Sequence, residues 1–483
     1  MAIFFCRLGY HSLWSDELVT AEKVIHQSQA EIWNPRHANM EGKAVLGCMV
    51  PYYSLLKLWS SVAGASEAGL RSFSAASAIA AMALILRFGP GSWGLGPSTS
   101  LVAATLFLLS PMMLWYAQEC RYYGLLQPLS LIVCGTYLEF WKTLRPTWLL
   151  AWVAAAIFAV MTHAYMIFLV GGGCFYGLWQ WCRHRLCHAP LVITAHVLVA
   201  GYFLAVWRFL SASYERISTT EHAAYVLQTD DLMPWKVLSN FICGIYEHGP
   251  VPIATLLSLA AAALLILHLR ASLPSPRADG QSEAGAPAAW LWIAAALGTG
   301  AMMIAVSWSL DNLVEGKRYV MVFFAPFCIW LALALTRPVL PRLLPVIFLI
   351  AMAMNNVLVD WNYFTNPQKQ NWRLAGQAIR EQARPGDVWI HQSVPRAFAA
   401  EYYGGSPKAP YLNVLWEPGD ILKTPHPPEI RQAGRIWLVR TGGIAEAYAA
   451  RLQEAGFRPT QPWVLPAGSH FSTHLWLFER SQP

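Results

Sequence analysis

Residues 98–141 read STSLVAATLFLLSPMMLWYAQECRYYGLLQPLSLIVCGTYLEFW. Two apolar runs, 98–115 and 123–141, each come close to the ~20 residues that an α-helix needs to cross a ~30 Å hydrocarbon core. The turn between them, 118–122, carries Glu119 and Arg121; the only other charge in the stretch is Glu139. Two apolar helices joined by a tight charged turn are the signature of a polytopic α-helical membrane protein, because a spanning helix satisfies its own backbone and leaves polar groups for the boundary. Working outward, similar runs centre on 70–88, 148–162, 164–181, 189–210, 250–269, 288–310, 319–336 and 339–359. The expectation is about ten transmembrane helices.

Composition agrees. Of 483 residues, 56% are hydrophobic and 13% charged, where an ordinary soluble domain carries roughly 25% charged residues. The charges are uneven: 38 Asp, Glu, Lys and Arg in residues 1–359 against 23 in residues 360–483. A purely soluble enzyme is excluded, and the chain divides by solvent into a lipid-embedded part and a water-soluble tail. The net charge of +7 comes from 34 scattered Lys and Arg with no basic run, so no nucleic-acid partner is expected. Nine cysteines, none in the tail, lack zinc or redox spacing and read as small core residues.

The positive-inside rule orients the spans. With the linker after the first span cytoplasmic, alternate loops hold Arg87, Lys142, Arg145, Arg183, Arg185, Arg270, Arg277, Arg337 and Arg342. The outer face then receives residues 1–66, the 118–122 turn, the 211–249 loop, the 311–318 turn and the tail. Three domains are expected: 1–66, an outer-face catalytic loop with interfacial helices; 67–359, a multi-span module; and 360–483, a soluble α/β domain. Within the first, 42–64 is apolar but broken by Pro51 and Lys57, and reads as interfacial helix with Tyr52, Tyr53 and Trp59 at headgroup level. Since 1–66 must reach the outer face, a helix ahead of Met1 is expected. In the tail, helix-like segments at 373–384, 395–403 and 444–455 alternate with strand-like ones at 387–391, 435–440, 460–465 and 474–479, which predicts mostly parallel connections.

Chemistry-bearing residues gather on the expected outer face. SLWSDELVTAE (12–22) sets Asp16 beside Glu17. Adjacent carboxylates can supply a general base with a tuned neighbour; equally, Ser-Asp-Glu is a common helix start with an acidic first turn. Arg121, flanked by Glu119 and Tyr122, has the guanidinium geometry for bidentate contact with a phosphate; a local Glu119–Arg121 pair is the alternative. Lys317 and Arg318 recur before another span, on the side where basic residues call for an anionic partner. His163, at a helix end, reads as a structural or a site-lining group. His222, Asp230, Asp231, Glu247 and His248 either line an acceptor site or are simply solvated.

Taken in order, SLWSDE, PYYSLLKLW with SEAGLRSFSA, SPMMLWYAQECRYYGLL, THAY, KRYVMVFFAP and NWRLAGQAIREQARPGDVWI resemble bacterial membrane glycosyltransferases of family 39. These are relatives of the protein mannosyltransferases and of the aminoarabinose transferase that modifies lipid A, with the GT-C fold. The resemblance implies an inverting enzyme of the bacterial inner membrane. It would take a sugar from a polyprenyl-phosphate donor and pass it to a glycan, lipid or protein acceptor on the periplasmic face. It implies Asp16 as general base with Glu17 its neighbour, Arg121, Arg318 and Lys317 at the donor phosphate, and Glu119, Tyr122, His163 and Lys57 lining the site. No cofactor is required by the resemblance, and a divalent metal is left open. The family has a transmembrane helix before its acidic loop, which this sequence does not show. A secondary transporter or lipid flippase is the competing class; it calls for charges near the midplane and repeated halves, whereas the acids here cluster toward one face and no repeat is visible.

Overall fold

In the computed structural model, the described residues are 2–34, 49–183, 188–218, 234–244, 251–272, 286–309, 318–336, 341, 343–391, 394–404, 412–415, 428–441, 445–460, 463–465 and 473–481. The chain separates into two compact units that interleave in sequence. One comprises Met1–Cys6, Gln29–Trp59 and Arg71–Trp361; the other comprises Arg7–Ser28, Ser60–Leu70 and Asn362–Pro483.

The first unit is helical. Among the described residues, each apolar run expected to span is mainly helical, and four helices are long and apolar enough to cross a membrane: Glu67–Phe88, Ile253–Ser272, Ala289–Val306 and Leu343–Thr365. Pro146–Thr162, Met166–Cys182, Ala189–Ala205 and Tyr319–Leu335 are shorter apolar helices. The run at 98–115 is broken instead: Pro97–Leu109 and Pro111–Ala117 meet at 67°. Pro111 has no N–H and cannot continue the ladder, so carbonyls at the break need donors from elsewhere. Asn356 supplies one, its amide donating to the Leu109 carbonyl at 2.8 Å and also to the Ile242 carbonyl of the helix Pro234–Cys243 at 2.8 Å. Ser110 donates to the Phe241 carbonyl at 2.9 Å. This is how a helical membrane fold tolerates an internal break: neighbouring helices satisfy the freed backbone.

Close backbone approach marks a second irregularity. Between Ala286–Ile293 and Thr299–Ser309 lies a π-helical turn, Ala294–Gly298. A Cβ on Gly172 would sit 2.9 Å from the Ala294 carbonyl oxygen and 2.8 Å from Thr299 Oγ1. Only glycine at 172 lets the helix Met166–Arg183 pack this tightly, the small-residue contact typical of membrane helices.

The second unit is built on a six-stranded mixed sheet. β1 (Val388–His391) lies between β2 (Leu412–Leu415) and β3 (Arg435–Thr441), parallel to both. β6 (Thr473–Arg480) pairs antiparallel with β3, β4 (Phe457–Pro459) and β5 (Trp463–Leu465). The expectation of mostly parallel connections therefore holds only for the first half of the sheet. A parallel crossover takes a dozen or more residues, and only three residues separate β4 from β5 and seven separate β5 from β6. One face of the sheet buries Val388, Ile390, Ile436, Leu438 and Phe478 against Tyr448, Leu452 and Ile430. The turn ahead of β1 needs its glycine: Gly386 has φ +85°. Asp387 then receives the Arg384 N–H at 3.0 Å, the Trp437 indole at 2.8 Å and the Arg435 guanidinium at 2.7 and 3.1 Å.

Candidate active site

The acidic loop belongs to the second unit. Its helix, Ser15–His26, starts after Trp14, so Asp16 and Glu17 do occupy a first turn. Ser15 is not the cap, however. Its hydroxyl and its N–H both donate to Gln370 Oε1, at 2.8 and 3.0 Å. The two carboxylates differ in environment. Glu17 is fully buried, accepts the Trp14 N–H at 3.4 Å and pairs with the equally buried Lys369 at 3.5 Å. Asp16 is only half-buried.

The approach to this loop is held as firmly. His11 accepts the Gln368 N–H on Nδ1 at 3.3 Å and donates from Nε2 to the Tyr363 carbonyl at 3.0 Å. The Ser12 hydroxyl donates to the Gln370 carbonyl and accepts from Trp372 N–H at 3.1 Å. Arg373 donates to the carbonyls of Gly9 and Tyr10, at 2.7 and 3.2 Å, and pairs with Glu67. Tyr403 receives the Leu13 N–H at 2.6 Å and donates to Glu67 at 2.5 Å.

The basic candidates belong to the first unit. Arg121 follows the bent pair and is buried; its carbonyl accepts from Ser74 at 3.1 Å and its guanidinium carbon lies 5.0 Å from the Tyr122 ring centre. The Tyr122 ring lies tilted 4.5 Å from that of His163, and its hydroxyl hydrogen-bonds the Tyr123 hydroxyl at 3.1 Å. Tyr52 meets Tyr122 edge-on, and Tyr165 and Tyr319 complete the aromatic wall around His163. Arg318 lies 5.8 Å from the Tyr319 ring centre. Glu119 is buried one turn from Trp115, whose indole donates to it at 2.7 Å.

Electrostatics give this cluster a definite character. Burial, and then the charges of Arg121 and Arg318, push His163 down to about 3, so it is neutral at every physiological pH. Because the Tyr165 N–H donates to its Nδ1 at 3.3 Å, the ring proton sits on Nε2. Burial raises the Tyr122 and Tyr52 phenols, which stay protonated. Two guanidinium groups thus act on a common set of neutral O–H and N–H donors, an arrangement suited to an anion.

Of the residues singled out in the sequence, the structure brings Arg121, Arg318, Tyr122 and His163 together. It places Asp16 and Glu17 in the other unit. Lys57 is half-buried on the helix Val50–Ala63. Lys317, His222, Asp230, Asp231, Glu247 and His248 lie outside the described residues. Tyr52 and Tyr53, expected at headgroup level, have their rings packed on protein. Lys369, Gln370, Tyr319 and the buried Arg71 were not singled out; for Arg71 a lone charge beside Leu70 at the head of an apolar run was the available signal. Among the described residues, no group of three or more His, Cys, Asp or Glu side chains is disposed to hold a metal ion.

No family model matches the chain, and neither does any curated protein sequence. Solved structures do. The crystal structure of ArnT from Cupriavidus metallidurans bound to undecaprenyl phosphate is similar at a TM-score of 0.58 and 12% identity, over 98% of this chain and 96% of that one. The same enzyme in the apo state is similar at a TM-score of 0.55, with the same identity and coverage. The chain therefore has the GT-C-type membrane fold of that transferase.

Proposed function

We propose that this chain is an integral-membrane glycosyltransferase that moves a sugar from a polyprenyl-phosphate donor to an acceptor hydroxyl on the periplasmic face of the bacterial inner membrane. The observation that carries the reading is the convergence of Arg121 and Arg318 on the neutral Tyr122–His163 cluster. Such a site favours a ligand whose negative charge grows as it departs, which is what a phosphate leaving group does. The fold is shared with a transferase solved with undecaprenyl phosphate bound, and this supports a lipid-borne anion as the ligand. A donor confined to the bilayer also needs no nucleotide-binding motif in the tail, where residues 360–483 contain neither GxGxxG nor a P-loop.

In this reading the acceptor oxygen attacks the anomeric carbon as the carbon–phosphate-oxygen bond breaks, and the single displacement inverts the centre. The acceptor proton passes to Asp16, the more exposed of the adjacent carboxylates; base catalysis of this kind is worth about 10²–10⁴-fold. Arg121 and Arg318 stabilise the departing phosphate, with Tyr122 and His163 Nε2 as neutral donors beside them. Basic residues on the alternate loops set the periplasmic orientation.

The test is deletion of the gene in the source bacterium, followed by mass analysis of its envelope glycolipids, polysaccharides and glycoproteins. Loss of one glycosyl mass from one class, with accumulation of the matching polyprenyl-phosphate sugar, is expected. An unchanged envelope together with an unchanged lipid-phosphosugar pool would sink the proposal.

A further inference from the structure

The contacts around the acidic loop share a source. Positions 9 to 17 are held largely by the short segment 368–373, more than 350 residues away in sequence. Gln368 binds His11, Lys369 pairs with Glu17, Gln370 takes both the N–H and hydroxyl of Ser15, Trp372 binds Ser12, and Arg373 holds the carbonyls of Gly9 and Tyr10. Asp16 thus has a fixed residue on each side, while it remains half-exposed.

The Lys369–Glu17 pair is the unusual member. Both side chains are essentially inaccessible, and removing two charges from water costs enough that such pairs often contribute nothing to stability compared with apolar replacements. What the pair does achieve is position: it anchors Glu17 to the segment that also grips Ser15, and so sets the first helical turn on which Asp16 stands. A reactive group must be held to within about 0.5 Å by neighbours whose own rotamers are locked.

We propose that segment 368–373 is the positioning element of the acidic loop, with Glu17 held by Lys369 as a positioning carboxylate rather than as a second catalytic one. This rests on the reading of Asp16 as the general base. The sequence-based pairing of Asp16 and Glu17 as joint catalysts is thereby divided: one carboxylate takes the acceptor's proton, and the other holds the first in place.

The experiment measures sugar transfer by the full-length protein purified in detergent. The donor is the polyprenyl-phosphate lipid extract of a strain lacking the gene, and the acceptor is that strain's envelope fraction. Lys369→Met is expected to lower kcat at least tenfold with KM for the lipid donor within twofold, and Lys369→Arg to recover a third or more of the wild-type kcat. Glu17→Gln, which keeps shape and hydrogen bonding, is expected to retain at least a tenth, whereas Asp16→Asn loses at least a hundredfold. All are compared at equal recovery of monodisperse protein; if Lys369→Met does not fold, Lys369→Arg and Glu17→Gln decide. The proposal is overturned if Glu17→Gln falls as far as Asp16→Asn, or if folded Lys369→Met keeps its kcat. An active Asp16→Asn has a different meaning: it removes Asp16 as base and fails the underlying reading instead.

Discussion

The two units solve opposite electrostatic problems. In the helical unit, Arg121 and Arg318 sit against aromatic rings and near a histidine whose charge is suppressed first by burial and then by theirs. In the sheet unit, the carboxylate of Glu17 is matched by Lys369 and a backbone N–H. The first sets two guanidinium groups against neutral aromatic and imidazole rings, with Glu119 buried two residues from Arg121. The second neutralises its own buried charge and spends the contacts on holding a loop, which suits a reacting group that must be placed accurately.

If this division is correct, substitutions in the two units should fail differently. The largest effect is expected from Asp16→Asn, which lowers kcat by about 10²–10⁴-fold while leaving thermal unfolding in detergent unchanged; turnover and melting measured on one preparation check it. Next is Arg121→Ala, expected to weaken donor binding by about 2–5 kcal/mol as a desolvated charge contact is lost. Titration with undecaprenyl phosphate reads this, and Asp16→Asn should bind that lipid normally. An Arg121→Ala protein with unaltered lipid affinity would erase the contrast between the units.

A purely structural change comes third. Asn356→Ala takes the donor from the Leu109 and Ile242 carbonyls at the bend and is expected to cost about 1–3 kcal/mol of stability, read as a lower unfolding temperature with KM for the donor retained. The smallest effect concerns His163. Its native value of about 3 lies below the ordinary 6.5, so between these limits the unfolded chain binds more protons and stability falls as pH falls from 6.5 toward 3. His163→Phe should flatten that acid slope by about one proton, measurable as the pH dependence of the melting temperature. Above pH 7 its melting should no longer depend on this group.

Much of the fold was legible because it rests on local composition. Apolar runs near spanning length became helices, but the bend at Ser110-Pro111 was not read, the run 98–115 being expected as one span. Three of the tail's helices and most of its strands followed from periodicity, the short helix Pro428–Gln432 did not, and Pro385-Gly386-Asp387 marked the first turn. β2 and β4 were not legible: four and three residues are too short to show alternation. Among the candidate residues, Asp16, Arg121 and Arg318 stood out as charges at apolar boundaries. Lys369 and Gln370 did not, since nothing local to NPQKQNW distinguishes a surface lysine from one buried against Glu17.

The sequence by itself therefore determined the membrane-helical class, the mixed helix-and-strand character of the tail and the small set of charged residues available for chemistry. The reason is that transfer from water to lipid is decided residue by residue and adds along a segment. Only the tertiary structure decided which of those charges are buried and what they are packed or paired against. The neutrality of His163, the locking of Glu17 by Lys369 and the antiparallel half of the sheet all depend on groups brought together from distant parts of the chain. Burial and pairing are properties of such juxtapositions, and no periodicity in the sequence records them.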